Sequence, residues 1–398
     1  MVETNIQNFT VNTANTVLGT TRIRLAILIC AILIMVLVSI RLTPKLMRRF
    51  HTHGLELVEY ASGLNVPWSM AFLPDGSMLV TEREGRLRRI GSNGQVSEPV
   101  EGLPPVAHGG EGGLLGLAIA PDFKDSRRLF WSYSEPAVAP LQGASTAVAS
   151  GHLTDTGVSD VKVIYRQAEK LTDQRHFGGR LLFDLDGRLL IGLGDRMVRD
   201  DAQRLDSAHG KLLRILPDGS IPPDNPFANQ ESALPEIFSL GHRNIQGLAL
   251  DPQTGAIWAS EHGPASGDEV NLIKSGANYG WPLVSHGCEY NTCDPIGADI
   301  EPPGIEAPAT WFGPESVPPS ALTVVTSERY PDWQGHLLMG VLHSRALMLM
   351  TVEGDKIVER KPLWLGKYQR IRDVQQGPDG WIYVAVQSPE GTILRLVP

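Results

Sequence analysis

Cysteine is scarce: three in 398 residues, at positions 30, 288 and 293. That excludes a disulfide-built mini-scaffold and a four-cysteine zinc module. Aromatic residues make up only 7% of the chain, while glycine (41) and proline (29) are plentiful. This balance suits short strands joined by many turns better than a helical bundle. No phosphate-binding Gly-x-x-x-x-Gly-Lys loop, no Gly-x-Ser-x-Gly elbow and no His-Glu-x-x-His pair occurs. Gly192-Leu193-Gly194 lacks the third glycine of a dinucleotide fingerprint. Phosphoryl transfer on a P-loop, serine-elbow hydrolysis and nicotinamide chemistry therefore lose their sequence support.

Positive charge is also missing from most of the chain. Residues 1–50 carry six Lys/Arg against Glu3, so the net −9 leaves −14 on residues 51–398. An acidic body argues against a nucleic-acid partner and suits a protein that holds a divalent cation. Long apolar runs are lacking too, with one exception, residues 25–40, which contain no charge. This run is slightly short of the about 20 residues of a usual span and has basic flanks. No small-x-small cleavage site follows it, so a transmembrane signal anchor is expected, after a tail (1–24) and before a basic linker (41–54). More basic residues follow the run than precede it, which by charge alone leaves the large domain in the cytoplasm. That rule weakens for long translocated domains.

The body begins near Leu55. A turn followed by an apolar, strand-like run recurs along it: Pro74-Asp75-Gly76, Pro121-Asp122-Phe123, Asp186-Gly187, Asp251-Pro252, Pro331-Asp332-Trp333 and Pro378-Asp379-Gly380. Six units spaced by roughly 45 to 80 residues predict an all-β, six-bladed β-propeller over 55–398. A pair of β-sandwiches is the blander reading. Long amphipathic helices are hard to find, which counts against α/β folds. Residues 294–320, rich in proline and polar residues, read as a long loop.

Five segments carry candidate chemistry. His176 lies in Gln174-Arg175-His176-Phe177-Gly178-Gly179-Arg180, and Asp195 ends Gly192-Leu193-Gly194-Asp195. A carboxylate that accepts from one imidazole nitrogen fixes the tautomer and leaves the other basic. A lone histidine is more often structural, so the pairing matters. Arg243 and Asn244 lie in Gly241-His242-Arg243-Asn244-Ile245-Gln246-Gly247; a guanidinium there suits carboxylate or quinone oxygens, although most arginines are solvated. Arg370 and Arg372 alternate across Ile371, which puts both on one face of a strand and asks for an anionic partner, unless the edge is merely solvated. Gly263-Pro264 is a turn whose carbonyls can converge on a hard cation, or simply a turn. Cys288 and Cys293 make a poor zinc site. In an oxidising compartment they suit a short-loop disulfide, with reduced thiols as the alternative.

Together with Glu261-His262-Gly263-Pro264 and Asn278-Tyr279-Gly280-Trp281-Pro282, these segments resemble the soluble pyrroloquinoline quinone (PQQ) sugar dehydrogenases, over roughly residues 55–395. The resemblance implies oxidation of aldoses to lactones, with calcium polarising the PQQ oxygens. It implies His176 as base, Asp195 as its orienting partner and Arg243 as the stabiliser of developing charge. Arg243, Asn244, Arg370 and Arg372 would contact PQQ. The Gly263 and Pro264 carbonyls would hold calcium, with Glu269 and the Tyr279 carbonyl at further calcium positions. It further implies an aldose substrate, an unidentified electron acceptor, and a catalytic domain on the periplasmic side of the inner membrane. Two positions depart from the family pattern. Glu111 stands where a glutamine contacts PQQ, and His343 follows Leu342 where a lysine is usual; both changes disfavour an anionic cofactor. A calcium-dependent lactone hydrolase and a non-catalytic binding propeller are the alternatives. The histidines at 51, 53, 108, 209, 262 and 286 form no ligand spacing.

Overall fold

The computed structural model describes residues 54–298 and 302–398. The expected tail (1–24), anchor helix (25–40) and all but residue 54 of the linker lie outside the described residues. Among the described residues, no helix is long and apolar enough to cross a membrane.

Six four-stranded antiparallel sheets form the blades of a propeller. Their inner strands are Pro67–Phe72, Leu114–Ile119, Gly178–Phe183, Ile245–Leu250, Pro319–Val324 and Arg370–Gln376, in blades I to VI. Each inner strand packs on that of the next blade, and the sixth returns to the first, closing a ring. Leu189–Leu193 and Leu337–Val341, second strands of blades III and V, are buried along their whole length. These strands read as continuous apolar runs because neighbouring blades cover both of their faces. Outer strands such as Val158–Arg166 and Lys356–Leu363 alternate and carry charge, because one face meets water. Blade VI is composite: Glu56–Leu64, the first strand, pairs with Gly391–Val397, the last, with Glu56 opposite Val397.

All six turn signals fall at the hairpin from inner to second strand. Asp75 Oδ1 accepts from the Ser77 amide at 2.9 Å, Asp251 Oδ1 from Gln253 at 2.9 Å, and Asp379 Oδ1 from Trp381 at 3.1 Å. Such side-chain turns are why aspartate recurs there. With one strand order in every blade, these hairpins share one end of the ring. The segments entering the inner strands, and those leaving the second strands, share the other. His176, Arg243, Glu111 and Arg370 lie at or just before the starts of inner strands. Asp195, Gly263 and Leu342 lie just past the ends of second strands. The topology alone therefore gathers them at one end.

One expectation needs correction. Within 294–320, Thr310–Phe312 is the outer strand of blade IV, with Asp268 opposite Phe312. Three residues among prolines are too short to show a period. The central channel is also not purely apolar. Arg180 from blade III meets Asp373 from blade VI at 3.0 Å, and both are fully buried. Arg180 also donates to the Gln246 carbonyl and Ser69 Oγ, and the Met70 amide donates to Asp373 Oδ2 at 2.6 Å. One ion pair thus ties blades I, III, IV and VI. Burial pushes the Asp373 carboxyl up, opposed by Arg180, and pushes Arg180 down, opposed by Asp373.

Candidate active site

His176 is built into place by backbone. Its φ is +52°, and its amide donates to Glu111 Oε2 at 2.7 Å. A Cβ on Gly194 would lie 2.1 Å from the His176 carbonyl oxygen, so only glycine lets the two segments pass. Gly178, with φ +65°, meets the same second strand from the other side, where a Cβ would lie 2.5 Å from the Gly192 oxygen. The glycines of both motifs are therefore the means by which His176 reaches Asp195.

The contact is direct: His176 Nδ1 and Asp195 Oδ1 are 2.7 Å apart, and both residues are buried. Asp195 Oδ1 also accepts from the Met197 amide at 2.9 Å, and Oδ2 accepts from Trp281 Nε1 at 2.8 Å. Burial acts to raise the Asp195 carboxyl. The hydrogen bonds from His176 and Met197 and the charge of Arg243 outweigh it and hold the group below its ordinary value. An ionised Asp195 keeps the ring proton on Nδ1 and leaves the Nε2 lone pair outward.

Beside this pair lies a cavity of about 420 Å³, walled by Trp68, Arg83, Glu111, Gln246, Arg370 and Arg372 among others. Arg370 and Arg372 thus share it, as their alternation predicts. Among the described residues, Arg372 donates only to amide oxygens, Gln246 Oε1 at 2.8 Å and Gln387 Oε1 at 3.0 and 3.1 Å. Burial, with Arg370 and Arg180 nearby, lowers it to about 9. Arg83 adds a buried Nε with no partner among the described residues. An arginine wall with amide partners and an orphaned N–H fits a polycarboxylate such as PQQ. Glu111 lies among these cations, and its Oε2 is also 3.5 Å from Asn244 Nδ2, so its charge is compensated. Asn244 itself is fully buried and braces the Gly178 amide at 3.2 Å rather than walling the cavity. His343 is exposed, and the wall is formed by Leu342 instead.

Gly263, Pro264, Glu269 and Tyr279 come together around a crevice of about 10 Å³, room for one water or small ion. The Gly263 carbonyl already accepts from Arg243 Nη1 at 2.6 Å, so the turn faces a cation in this conformation. The carboxylates that line the crevice are Glu269 and Glu261, and Asn271 braces them from Nδ2, at 3.3 Å from Glu269 Oε2 and 2.8 Å from Glu261 Oε1. Glu269, with Tyr279, gives the crevice the hard-oxygen character that calcium takes. Arg243 also donates to Tyr290 Oη at 3.2 Å, and Tyr290 sits inside the Cys288–Cys293 disulfide loop.

Residues 64–395 match the glucose/sorbosone dehydrogenase family model. The aldose sugar dehydrogenase YliI of Escherichia coli K12 is 42% identical over 84% of this chain and 91% of its own. The chain belongs to the glucose/sorbosone dehydrogenase family. Family members of known structure share the whole ring. The soluble aldose sugar dehydrogenase of Escherichia coli, in its apo form, matches with TM-score 0.82 and 40% identity over 86% of this chain and 99% of that one. The PQQ-bound aldose sugar dehydrogenase of Streptomyces coelicolor matches with TM-score 0.71 and 26% identity over 86% and 98%.

Several site residues escaped the sequence reading. His262 walls both the cavity and the crevice; burial, with Arg372 nearby, pushes it down to about 3, and its Nε2 bonds to the Pro319 carbonyl at 2.8 Å. Its place one residue before Gly263-Pro264 was the available signal. Asn271 lies two residues from Glu269 on one strand, so alternation was its signal, whereas nothing in the Asn278–Pro282 segment pointed Trp281 at Asp195, 86 residues away.

Proposed function

We propose that the chain oxidises aldoses at the anomeric carbon to lactones, using PQQ and calcium. The observation that carries this reading is the buried His176–Asp195 pair beside an arginine-walled cavity. Arg83, Arg370 and Arg372 would hold the PQQ carboxylates, and Glu269 and Tyr279 would hold calcium, with Asn271 beside them. When bound, PQQ supplies a two-electron acceptor for the hydride from the anomeric C–H, and calcium a Lewis acid. His176 Nε2 takes the proton of the anomeric hydroxyl. Asp195 holds the ring in place and stabilises the imidazolium so formed. Arg243 donates toward charge developing on the acceptor side. Trp68 and Phe177 offer flat apolar surface in the cavity wall.

A lactone hydrolase would put a calcium cage in the central channel. Here the channel holds the Arg180 guanidinium paired with Asp373, which speaks for the dehydrogenase. The disulfide between Cys288 and Cys293 supports an oxidising compartment, and we propose the periplasm, with residues 25–40 as the inner-membrane anchor.

The decisive experiment titrates the full chain with PQQ in calcium and follows reduction by glucose in stopped flow. Saturable binding with glucose-dependent bleaching, the bleaching lost in His176→Gln, supports the reading. No binding at high micromolar PQQ, or bleaching that survives His176→Gln, overturns it. Membrane fractionation with periplasmic protease access tests the location.

A further inference from the structure

We propose that Arg196 is a positioning residue for the reaction: it holds the strap of chain that carries His176, and so sets the base against Asp195. The inference rests on the reading of His176 as the base. Arg196 directly follows Asp195, just past the second strand of blade III, Leu189–Leu193. Its φ is +50°, in the left-handed region. Such a residue breaks the alternation of a strand, so two consecutive side chains can serve one segment. Asp195 takes the His176 ring, and Arg196 takes the residues that flank it.

Three guanidinium nitrogens each meet a backbone carbonyl. Nε donates to Arg175 at 2.9 Å, Nη1 to Ala144 at 3.0 Å, and Nη2 to Asp173. Asp173 and Arg175 lie three residues and one residue before His176. Ala144 opens the third strand of blade II, Ala144–Leu153, and exchanges backbone hydrogen bonds with Leu171 at 2.9 and 3.1 Å. The strap is thereby moored to blade II as well. On the other side of His176, the cation lies over the Phe177 ring, 3.7 Å from its centroid, and Phe177 walls the cavity.

Filling space does not explain an arginine here. Arg196 is 1% exposed, and its three hydrogen bonds all go to neutral carbonyls. Burial pushes it down to about 10, opposed by the charges of Asp173, Glu111 and Asp195. An apolar side chain of similar volume would avoid the cost of burying a charge. It could not hold three carbonyls at fixed spacing, as the planar fork does. The strap needs holding, because His176 sits at φ +52°, which few residues other than glycine adopt. Glu111 secures its other edge: the Glu111 amide donates to the Gln174 carbonyl at 2.8 Å, and its Oε2 accepts from the His176 amide at 2.7 Å. A catalytic group misplaced by about 1 Å can lose about a hundredfold in rate.

The first test reads the His176 bond itself and needs no cofactor. An imidazole N–H held by a carboxylate gives a proton resonance well downfield of the amides. Three buried histidines make such pairs: His176 with Asp195, His209 with Asp201 and His242 with Glu261. In the full chain, the His176 signal is the one lost in His176→Gln. Arg196→Met should move or remove that signal and leave the other two in place. In single turnover with PQQ, calcium and glucose, its limiting rate should fall at least about tenfold, with PQQ affinity held within about threefold. Arg196→Lys keeps the charge but reaches fewer carbonyls; it should show the same pattern, and it replaces Arg196→Met if that variant unfolds. An unchanged His176 signal, or a rate within about threefold of the unmodified chain, overturns the proposal. Loss of all three signals in both variants also overturns it, since Arg196 would then serve the fold alone. Bleaching by glucose that survives His176→Gln is a different result: it removes the base assignment on which the inference rests.

Discussion

Asp195→Asn is the sharpest probe of the His176–Asp195 pair, because the carboxylate serves three donors with two oxygens. An amide of the same shape can face them in two ways. If its oxygen stays toward His176 and Met197, the NH₂ group meets the Trp281 N–H. The tautomer then survives, but the negative charge 2.7 Å from Nδ1 is gone when the imidazolium forms. At an effective dielectric of about 20, two unit charges about 4 Å apart attract by about 4 kcal/mol, an upper measure of that loss. If the amide flips, the NH₂ group faces Nδ1, the ring proton moves to Nε2, and the base is lost, a factor of about 10² to 10⁴. Both orientations also leave a buried donor facing a donor, at about 1–3 kcal/mol of stability. The rate of the reductive half-reaction should therefore fall at least about a hundredfold with PQQ still bound. Single-turnover stopped flow on the loaded protein, with PQQ affinity measured separately, decides it. A rate within about threefold of the unmodified chain would refute the assignment of the pair.

Other consequences follow from burial and charge. Arg372 has its ionisation depressed to about 9 by burial and, among the described residues, hydrogen-bonds only to side-chain amides, so its charge costs the cofactor-free fold stability at neutral pH. Arg372→Met should leave the cofactor-free thermal midpoint unchanged or raised, while PQQ affinity, measured by titration, falls at least about tenfold. His262 is held down to about 3, against an ordinary 6.5, mainly by burial. The unfolded chain binds that proton first, so the contribution is complete above about pH 6.5 and is lost as pH falls, by about 1.4 kcal/mol per unit. Urea unfolding should show this slope flattened in His262→Asn between pH 6 and 4. Removing Asp373 leaves the Arg180 charge alone in the channel, and Asp373→Ala should cost about 3–5 kcal/mol in urea unfolding. A paired Arg180→Met, Asp373→Leu replacement should recover most of that loss. Opening the Cys288–Cys293 loop with Cys288→Ser should cost about 2 kcal/mol in the same assay, from loop closure.

The propeller was legible because its six turn signals are local: an aspartate marks the same hairpin in each blade, and in blades I, IV and VI it accepts from the amide two residues ahead. The pairing of His176 with Asp195 was legible because two glycine motifs flank one hairpin of blade III. What stayed hidden depends on distance along the chain. Trp281 reaches Asp195 across 86 residues, and Arg180 reaches Asp373 across 193. No spacing rule encodes such contacts. The outer strand Thr310–Phe312 was missed for the opposite reason: three residues cannot display a period. Glu111 and His343 were expected to act alike against an anionic ligand. The structure separates them, because Glu111 sits among arginines while His343 points to solvent.

The pairing of Glu56–Leu64 with Gly391–Val397 sets the order in which this molecule can be made. Five blades are contiguous in sequence and can zip up one after another as the chain emerges. The sixth needs both ends at once. Until residue 397 arrives, the opening strand has no partner and the stack stays an open arc with two bare edges. Closure is thus a single late event with a very long sequence separation, slow by its nature and felt by all six blades together. A nick in an outer hairpin should be survivable. Loss of a few residues from the last strand should unlatch the whole wheel.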